Sequence, residues 1–364
     1  MKAAVLETPG TPFVFTDIDI AEPRAGEVRV AIHHCGLCHS DVAIADGTHM
    51  GPAPAVLGHE ASGVIEAVGP GVDHLTVGDR VIVTPAPSCG RCYWCVRGEY
   101  SICEYSLGII TGMLPDGTSP LTRNGEMVFR GVGVGGFAEA AVVVASAVVK
   151  IPDDVPLDVV CVIGCAMQTG VGAVLNTAKV SAGSTVLVMG AGGIGSAIVQ
   201  GARIAGASRI IVSDPNESRR ETAQQFGATD LIDPTSDDVG AAVLSLTGVG
   251  ADYAFDAVGL ASLVETGLAA TRSGGMTVMV GAPPIDQNVN LNVVMAMIME
   301  KKLVGSMLGS CHAPRDIPMM IDLWRSGVLD LEGMITHRRP LEELNEAMAD
   351  MHNGTGLRTV INLR

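Results

Sequence analysis

The stretch VLVMGAGGIGSAIVQGARIAGASRIIVSD, residues 186–214, constrains the fold of this 364-residue chain more than any other. It opens on an uninterrupted apolar run, as in a parallel strand buried on both faces. It turns through Gly190-Ala191-Gly192-Gly193-Ile194-Gly195 into a helical segment with small residues along one side. A second apolar run, RIIVSD, ends on Asp214, 19 residues past Gly195. A G-x-G-x-x-G pattern alone is weak evidence. Between a buried strand and a helix, with an acid at that distance, it is the fingerprint of a dinucleotide-binding βαβ unit. Gly190 then makes the tight turn, Gly192 lets backbone approach a pyrophosphate, and Gly195 permits close helix–strand packing. N–H groups at the helix start, in the Gly193-Ile194 step, hold the phosphates. The Asp214 carboxylate accepts from ribose hydroxyls and repels a 2′-phosphate, which favours NAD over NADP; the bland alternative is a strand-end acid capping the next turn. Arg219 is near enough in sequence to lie over the adenosine ribose, or is a solvated surface arginine. Two further apolar runs, YAFDAV (253–258) and MTVMVG (276–281), continue the strand series. This half therefore reads as a doubly wound α/β domain on a parallel sheet.

The first 150 residues have a different rhythm. Short strands, EVRVAIH (27–33), ASGVIEAVG (61–69), DRVIV (79–83) and FAEAAVVV (137–144), are separated by dense Gly and Pro turn signals. The longest apolar stretch, 131–149, is broken by Glu139 and rich in Gly and Ala, so strands with turns fit it better than a membrane span. With 39 acidic against 23 basic residues the formal charge is −16, which disfavours nucleic acid and anionic membrane as partners. The N-terminus, MKAAVLETPGTPFVF, lacks the apolar core of a secretory signal, so a cytoplasmic location is expected.

Nine cysteines, an odd number without an export signal, argue against disulfide stapling and for metal. Four of them, Cys89, Cys92, Cys95 and Cys103, fall inside SCGRCYWCVRGEYSIC. Short loops at this spacing wrap one ion with four thiolates at about 2.3 Å, the closed tetrahedral arrangement of structural zinc. An iron–sulfur cluster and a set of free or disulfide-bonded thiols are the alternatives. Three remote fragments, GLCHSD (36–41), LGHEASG (57–63) and VIGCAMQTG (162–170), are unremarkable singly. Together they supply Cys38, His59 and Cys165, with Asp41 and Glu60 beside two of them. Three protein ligands with an open fourth position is the arrangement of catalytic zinc, and adjacent carboxylates serve to orient a ligating histidine.

In these fragments, in their order and in the ending GLRTVINLR, the chain resembles the zinc-dependent medium-chain alcohol dehydrogenases over nearly its whole length. The resemblance implies two zinc ions per chain, a catalytic one on Cys38, His59 and Cys165 and a structural one on the four-cysteine lobe, with NAD as cofactor. Glu60 is similar to the family's carboxylate behind the metal, Asp41 to the acid that orients the histidine, and Ser40 to the hydroxyl that bonds the substrate oxygen. Thr169 matches a residue near the nicotinamide; His39 and Arg358 match positions that bind the pyrophosphate. The implied fold is α/β: a GroES-like, β-rich catalytic domain from residues 1–166 and 306–364, carrying the lobe at 88–104, and a Rossmann NAD-binding domain over 167–305. The implied activity is oxidation of alcohols to aldehydes or ketones, and the reverse, by hydride transfer to nicotinamide. The segment 111–136 looks like the long loop of liver-type and glutathione-dependent members, which are commonly homodimers, with a tetramer as the larger option.

Departures from the family pattern carry their own expectations. The histidine that many relatives place five residues after the first zinc cysteine is Ala43 here, so proton release needs another route, for which His49 is a candidate. Pro85 and Gly131 stand where bulkier pocket walls are usual, which suggests room for medium to bulky apolar or aromatic alcohols. The nearest rival is a thiol-dependent formaldehyde dehydrogenase acting on an S-hydroxymethyl adduct of glutathione or mycothiol. A zinc-free quinone reductase and a non-catalytic NAD-binding protein are disfavoured by the intact ligand sets. Cys35, Cys161 and Cys311 read as buried small hydrophobes.

Overall fold

The computed structural model describes all residues, 1–364, and divides them into two compact units. The first comprises Met1–Ala166, His312–Gly327 and Leu331–Arg364; the second comprises Met167–Cys311 and Val328–Asp330. No single helix is long and apolar enough to cross a membrane.

The first unit is built on two sheets. One runs Val14–Asp17, Lys2–Leu6, Ala55–Val56, Glu126–Arg130, Leu121–Arg123, Asp19–Ile20 in spatial order. The other runs Val148–Lys150, Arg80–Val83, Glu60–Val68, Glu27–Gly36, Thr359–Asn362, His337–Pro340, with Ala140–Val144 also paired to Glu27–Gly36. Their inner faces close on fully buried Leu6, Ile32, Leu57, Ile65 and Phe137, so branched aliphatics fill the core that so few aromatics leave open.

Register in the second sheet does the positioning. Glu27–Gly36 pairs antiparallel with Glu60–Val68, from Val28 opposite Val68 to Gly36 opposite Glu60. The residues just beyond this end of the ladder are Cys38 on one strand and His59 on the other. The C-terminal strand joins the same end, with Val360 opposite Gly36, and so delivers Arg358 there. Gly36 is required by crowding: a Cβ would lie 2.4 Å from Glu60 Oε2.

The second unit is an all-parallel six-stranded sheet in the order Asp230–Ile232, Arg209–Ser213, Thr185–Met189, Ala251–Asp256, Thr271–Met279, Lys302–Gly305. In strand sequence this is 3-2-1-4-5-6, the doubly wound Rossmann order. Its strands carry the expected uniformly buried runs, such as Val186–Met189 and Ile210–Val212. The order reverses between Thr185–Met189 and Ala251–Asp256, which opens the ligand crevice at their carboxyl ends.

Candidate metal centres and cofactor site

The first site is assembled at the sheet end just described. The ligand atoms of Cys38, His59, Glu60 and Cys165 all lie within 4.8 Å of one another, and all four residues are buried. Cys38 precedes the helix His39–Ala45, and Cys165 follows a 3-10 turn, Cys161–Gly164. That turn approaches closely because Gly164 has no side chain; a Cβ would fall 2.7 Å from the Val83 carbonyl and 3.5 Å from Glu60 Cα.

Asp41, fully buried, ties two of these residues together. Its Oδ2 accepts from the Cys38 N–H at 3.1 Å, and its Oδ1 accepts from the Gly58 N–H at 2.9 Å and lies 3.1 Å from His59 Nδ1. With Nδ1 committed to the acid, Nε2 is the nitrogen left to coordinate.

The buried groups of this cluster strongly perturb one another's protonation. Hydrogen bonding from Cys165 holds the Cys38 thiol well below the usual range against burial, and the same contact, with burial, pushes Cys165 well above it. Burial pulls the His59 imidazole down, but the charges of Asp41 and Cys38 outweigh it and hold it well above the ordinary histidine value. Burial pushes Glu60 up to about 8, with Arg358 opposing. Neither Glu60 oxygen has a hydrogen-bond partner; Arg358 Nη2 stands 3.3 Å from Oε1. A buried carboxyl group without a hydrogen-bond partner, beside two thiols and an oriented imidazole, fits a divalent cation.

The second site is Cys89, Cys92, Cys95 and Cys103, likewise within 4.8 Å of one another. Cys103 is pushed up to about 12 by burial and by its contacts with Cys95 and Cys89, while Cys92 is pulled down to about 6, chiefly by backbone N–H donors. Backbone N–H groups of Cys89 and Tyr105 donate to Cys103 Sγ, and that of Cys92 to Cys89 Sγ. Donors aimed at sulfur suit thiolates, and four of them suit a closed zinc site. None of the nine cysteines forms a disulfide.

In the second unit the fingerprint lies at the sheet's switch point. Gly190 has φ +92°, and a Cβ there would fall 2.4 Å from Val258 Cγ2; one on Gly195 would fall 1.8 Å from the Gly190 carbonyl. Gly192 caps the helix Gly193–Ile204 and has nothing within 4 Å of its Cβ position, which leaves the open approach a pyrophosphate needs. Asp214 is buried, accepting from the Ala191 N–H at 2.7 Å and the Asn216 N–H at 2.8 Å. The carboxylate is thereby aimed by the fingerprint turn itself.

Ser40 is half-buried, its Oγ 3.8 Å from Cys38 Sγ; His39 is exposed; Thr169 is buried. Arg358 is buried in the first unit, donating to the Leu37 carbonyl at 2.9 Å as well as facing Glu60. Arg219 is half-buried, and it is Arg220, missed in the sequence, that donates to the Asp214 carbonyl and pairs with Asp233 at 3.0 Å. The His49 N–H donates to the Ala43 carbonyl at 2.7 Å, which brings its loop onto the end of the Ser40 helix. Gly131 does not enlarge a pocket: a Cβ there would lie 2.2 Å from Leu57 Cδ2, so the missing side chain makes way for core packing.

A family model described as "Alcohol dehydrogenase GroES-like domain" matches residues 24–153, and one described as "Zinc-binding dehydrogenase" matches residues 193–326. The chain is 36% identical to an S-(hydroxymethyl)glutathione dehydrogenase of Synechocystis sp., over 99% of each chain. It is 37% identical to alcohol dehydrogenase class-3 of Drosophila melanogaster, over 99% of this chain and 97% of that one. The solved benzyl alcohol dehydrogenase of Acinetobacter calcoaceticus superposes with a TM-score of 0.94 at 32% identity, covering 100% of this chain and 99% of the other. Fold and ligand sets thus define a zinc-dependent dehydrogenase with a dinucleotide domain. The chain belongs to the zinc-dependent medium-chain alcohol dehydrogenases, in their glutathione-dependent-like branch. It is an enzyme that oxidises alcohols, with zinc and NAD as cofactors.

Proposed function

We propose that the first unit is the catalytic domain and the second the NAD-binding domain of an enzyme for medium to bulky apolar or aromatic alcohols. Cys38, His59 and Cys165 hold the catalytic zinc, and Cys89, Cys92, Cys95 and Cys103 the structural one. The observation that carries the reading is the meeting of Cys38, His59, Glu60 and Cys165 within 4.8 Å, with Asp41 bonded to two of them. A zinc ion held there would supply Lewis acidity toward an alcohol oxygen, and bound NAD would supply the hydride acceptor. Ser40 would bond the substrate hydroxyl and relay its proton toward solvent, giving up its own hydroxyl hydrogen as it accepts the substrate's. Asp41 fixes the His59 ring, and Glu60 with Arg358 balances charge behind the metal. On the other unit Gly190, Gly192, Gly193, Ile194 and Gly195 cradle the pyrophosphate and Asp214 receives the ribose. His39, Thr169, Arg219 and Arg358 complete the cofactor set.

Likeness to a benzyl alcohol dehydrogenase supports an aromatic substrate, and the names of the two curated relatives favour a second reading, a thiol-adduct formaldehyde dehydrogenase. NADH formation across an alcohol panel separates them. Benzyl-type and long-chain alcohols are expected to give higher kcat/KM than ethanol, and formaldehyde to give no rate that depends on added glutathione or mycothiol. A strictly thiol-dependent rate would transfer the assignment to the second reading.

We assign the active form as a cytoplasmic homodimer. Ile285, Val293, Val294, Met297 and Ile298 are 90%, 72%, 59%, 70% and 66% exposed, next to the edge strand Lys302–Gly305, which is paired on one side only. Apolar surface of this kind beside an unpaired sheet edge is a subunit interface in waiting. Met297→Glu is expected to shift the mass in sedimentation from dimer to monomer; an unchanged dimer would place the interface elsewhere.

A further inference from the structure

We propose that Asp256 is a positioning residue for the cofactor: its carboxylate fixes the Ala257–Leu260 turn as a wall beside the Gly190 turn, and so governs how tightly NAD is held. This rests on the NAD assignment above and adds a residue to it. Asp256 ends the strand Ala251–Asp256, directly opposite Met189 in the parallel register, so it sits at the switch point where the fingerprint begins. It is 1% exposed. Its Oδ1 accepts from the N–H groups of Val258 and Gly259, both at 3.0 Å, and its Oδ2 from that of Leu260 at 3.2 Å. Its carbonyl accepts from Val280 and Gly281 at 3.0 and 2.9 Å. One residue therefore organises two successive turns at the carboxyl edge of the sheet.

The fit of these turns is close. A Cβ on Gly281 would lie 2.2 Å from the Gly259 nitrogen, and Gly259 itself, at φ +90°, would carry one 2.6 Å from the Ala282 carbonyl oxygen. The Val258 methyl occupies the space a side chain at Gly190 would need, yet the residue is still 46% exposed. It presents an apolar face at the crevice, held from behind by the acid.

The hydrogen bonding also divides labour. With three N–H groups of the Ala257–Leu260 turn committed to Asp256, this turn offers a surface, and phosphate binding falls to the helix start at Gly193. Burial pushes the Asp256 carboxyl up, against the pull of the three N–H donors. Burying a carboxylate to brace an exposed turn is costly, which argues for a role beyond stability.

The test titrates NADH fluorescence against the zinc-loaded enzyme and its variants. Asp256→Asn places an amide where three donors converge, and NADH Kd is expected to rise about tenfold. Asp256→Glu keeps the acceptors and is expected to return Kd to within about threefold of wild type, a rescue that a general packing defect would not show. Val258→Ala, at a half-exposed site that folding tolerates, is expected to raise Kd about threefold and decides the matter should Asp256→Asn not fold. Wild-type binding with Asp256→Asn and Val258→Ala both unchanged would overturn the positioning role. Failure of the wild type to bind NADH would overturn the cofactor assignment and this role with it.

Discussion

Cys165→Ala is expected to lose turnover by at least about a thousandfold while the purified chain keeps one zinc in place of two. Cys165 comes from a different segment than Cys38 and His59, and is held beside Glu60 by the Gly164 approach. Its removal leaves one thiol, one imidazole and a carboxylate. That set lacks the second soft donor and the charge that zinc prefers. The four-cysteine lobe shares no ligand with this site, so its metal stays. Elemental analysis and NADH formation read the two effects separately. A variant that retained two zincs and wild-type turnover would remove Cys165 from the metal site. Loss of both metals with a collapsed melting temperature would show that Cys165 serves folding first.

Much of this architecture is legible in the chain because it depends on local pattern. The run at 209–214 is a strand over Arg209–Ser213, and VLVMG appears as Thr185–Met189, since buried parallel strands need nothing but continuous apolar sequence. Cysteine spacing gives the lobe for the same reason: its four ligands lie within one loop. What stays hidden is what register and packing create. That Gly36 faces Glu60 follows from pairing between two separate strands, and that the C-terminal strand carries Arg358 to the same place follows from pairing between segments more than 300 residues apart. Gly131 misleads because an absent side chain looks like free space, whereas Leu57 fills it. The exposed helix Val293–Ile298 is as apolar as a core segment, and only its exposure marks it as a surface. Asp256 carries no motif; its importance lies in three backbone donors that converge on it once the turn is folded.

Cys103→Ser is expected to release the structural zinc, make the 88–104 segment sensitive to limited proteolysis, and lower Tm by about 10 °C or more, with the catalytic zinc retained. The lobe has almost no apolar core of its own. The hydrophobic groups packed against Cys92, Cys95 and Cys103 are Cys89, Tyr100 and Tyr105, all of them only partly buried. Tyrosines in that position contribute about 1.5–3 kcal/mol each when fully buried, and these are not. A structural zinc contributes about 10–16 kcal/mol in small domains, so the metal is the dominant force ordering the lobe. Cys103 is the informative position because it is the most buried of the four and closes the site from the far end of the loop. Its replacement also withdraws the acceptor for the Cys89 and Tyr105 N–H groups. The disturbance has a route into the rest of the first unit: Tyr100 stacks on His312 at 3.9 Å, at the start of the helix Ala313–Arg325. Loosening of the lobe therefore reaches that helix, and the Tm change is larger than a surface loop would give. Zinc content of one per chain with a lowered Tm is the expected pair of results. An unchanged Tm with two zincs would mean that three thiols suffice to hold the ion, and an unchanged Tm with one zinc would mean that packing, not metal, orders the lobe.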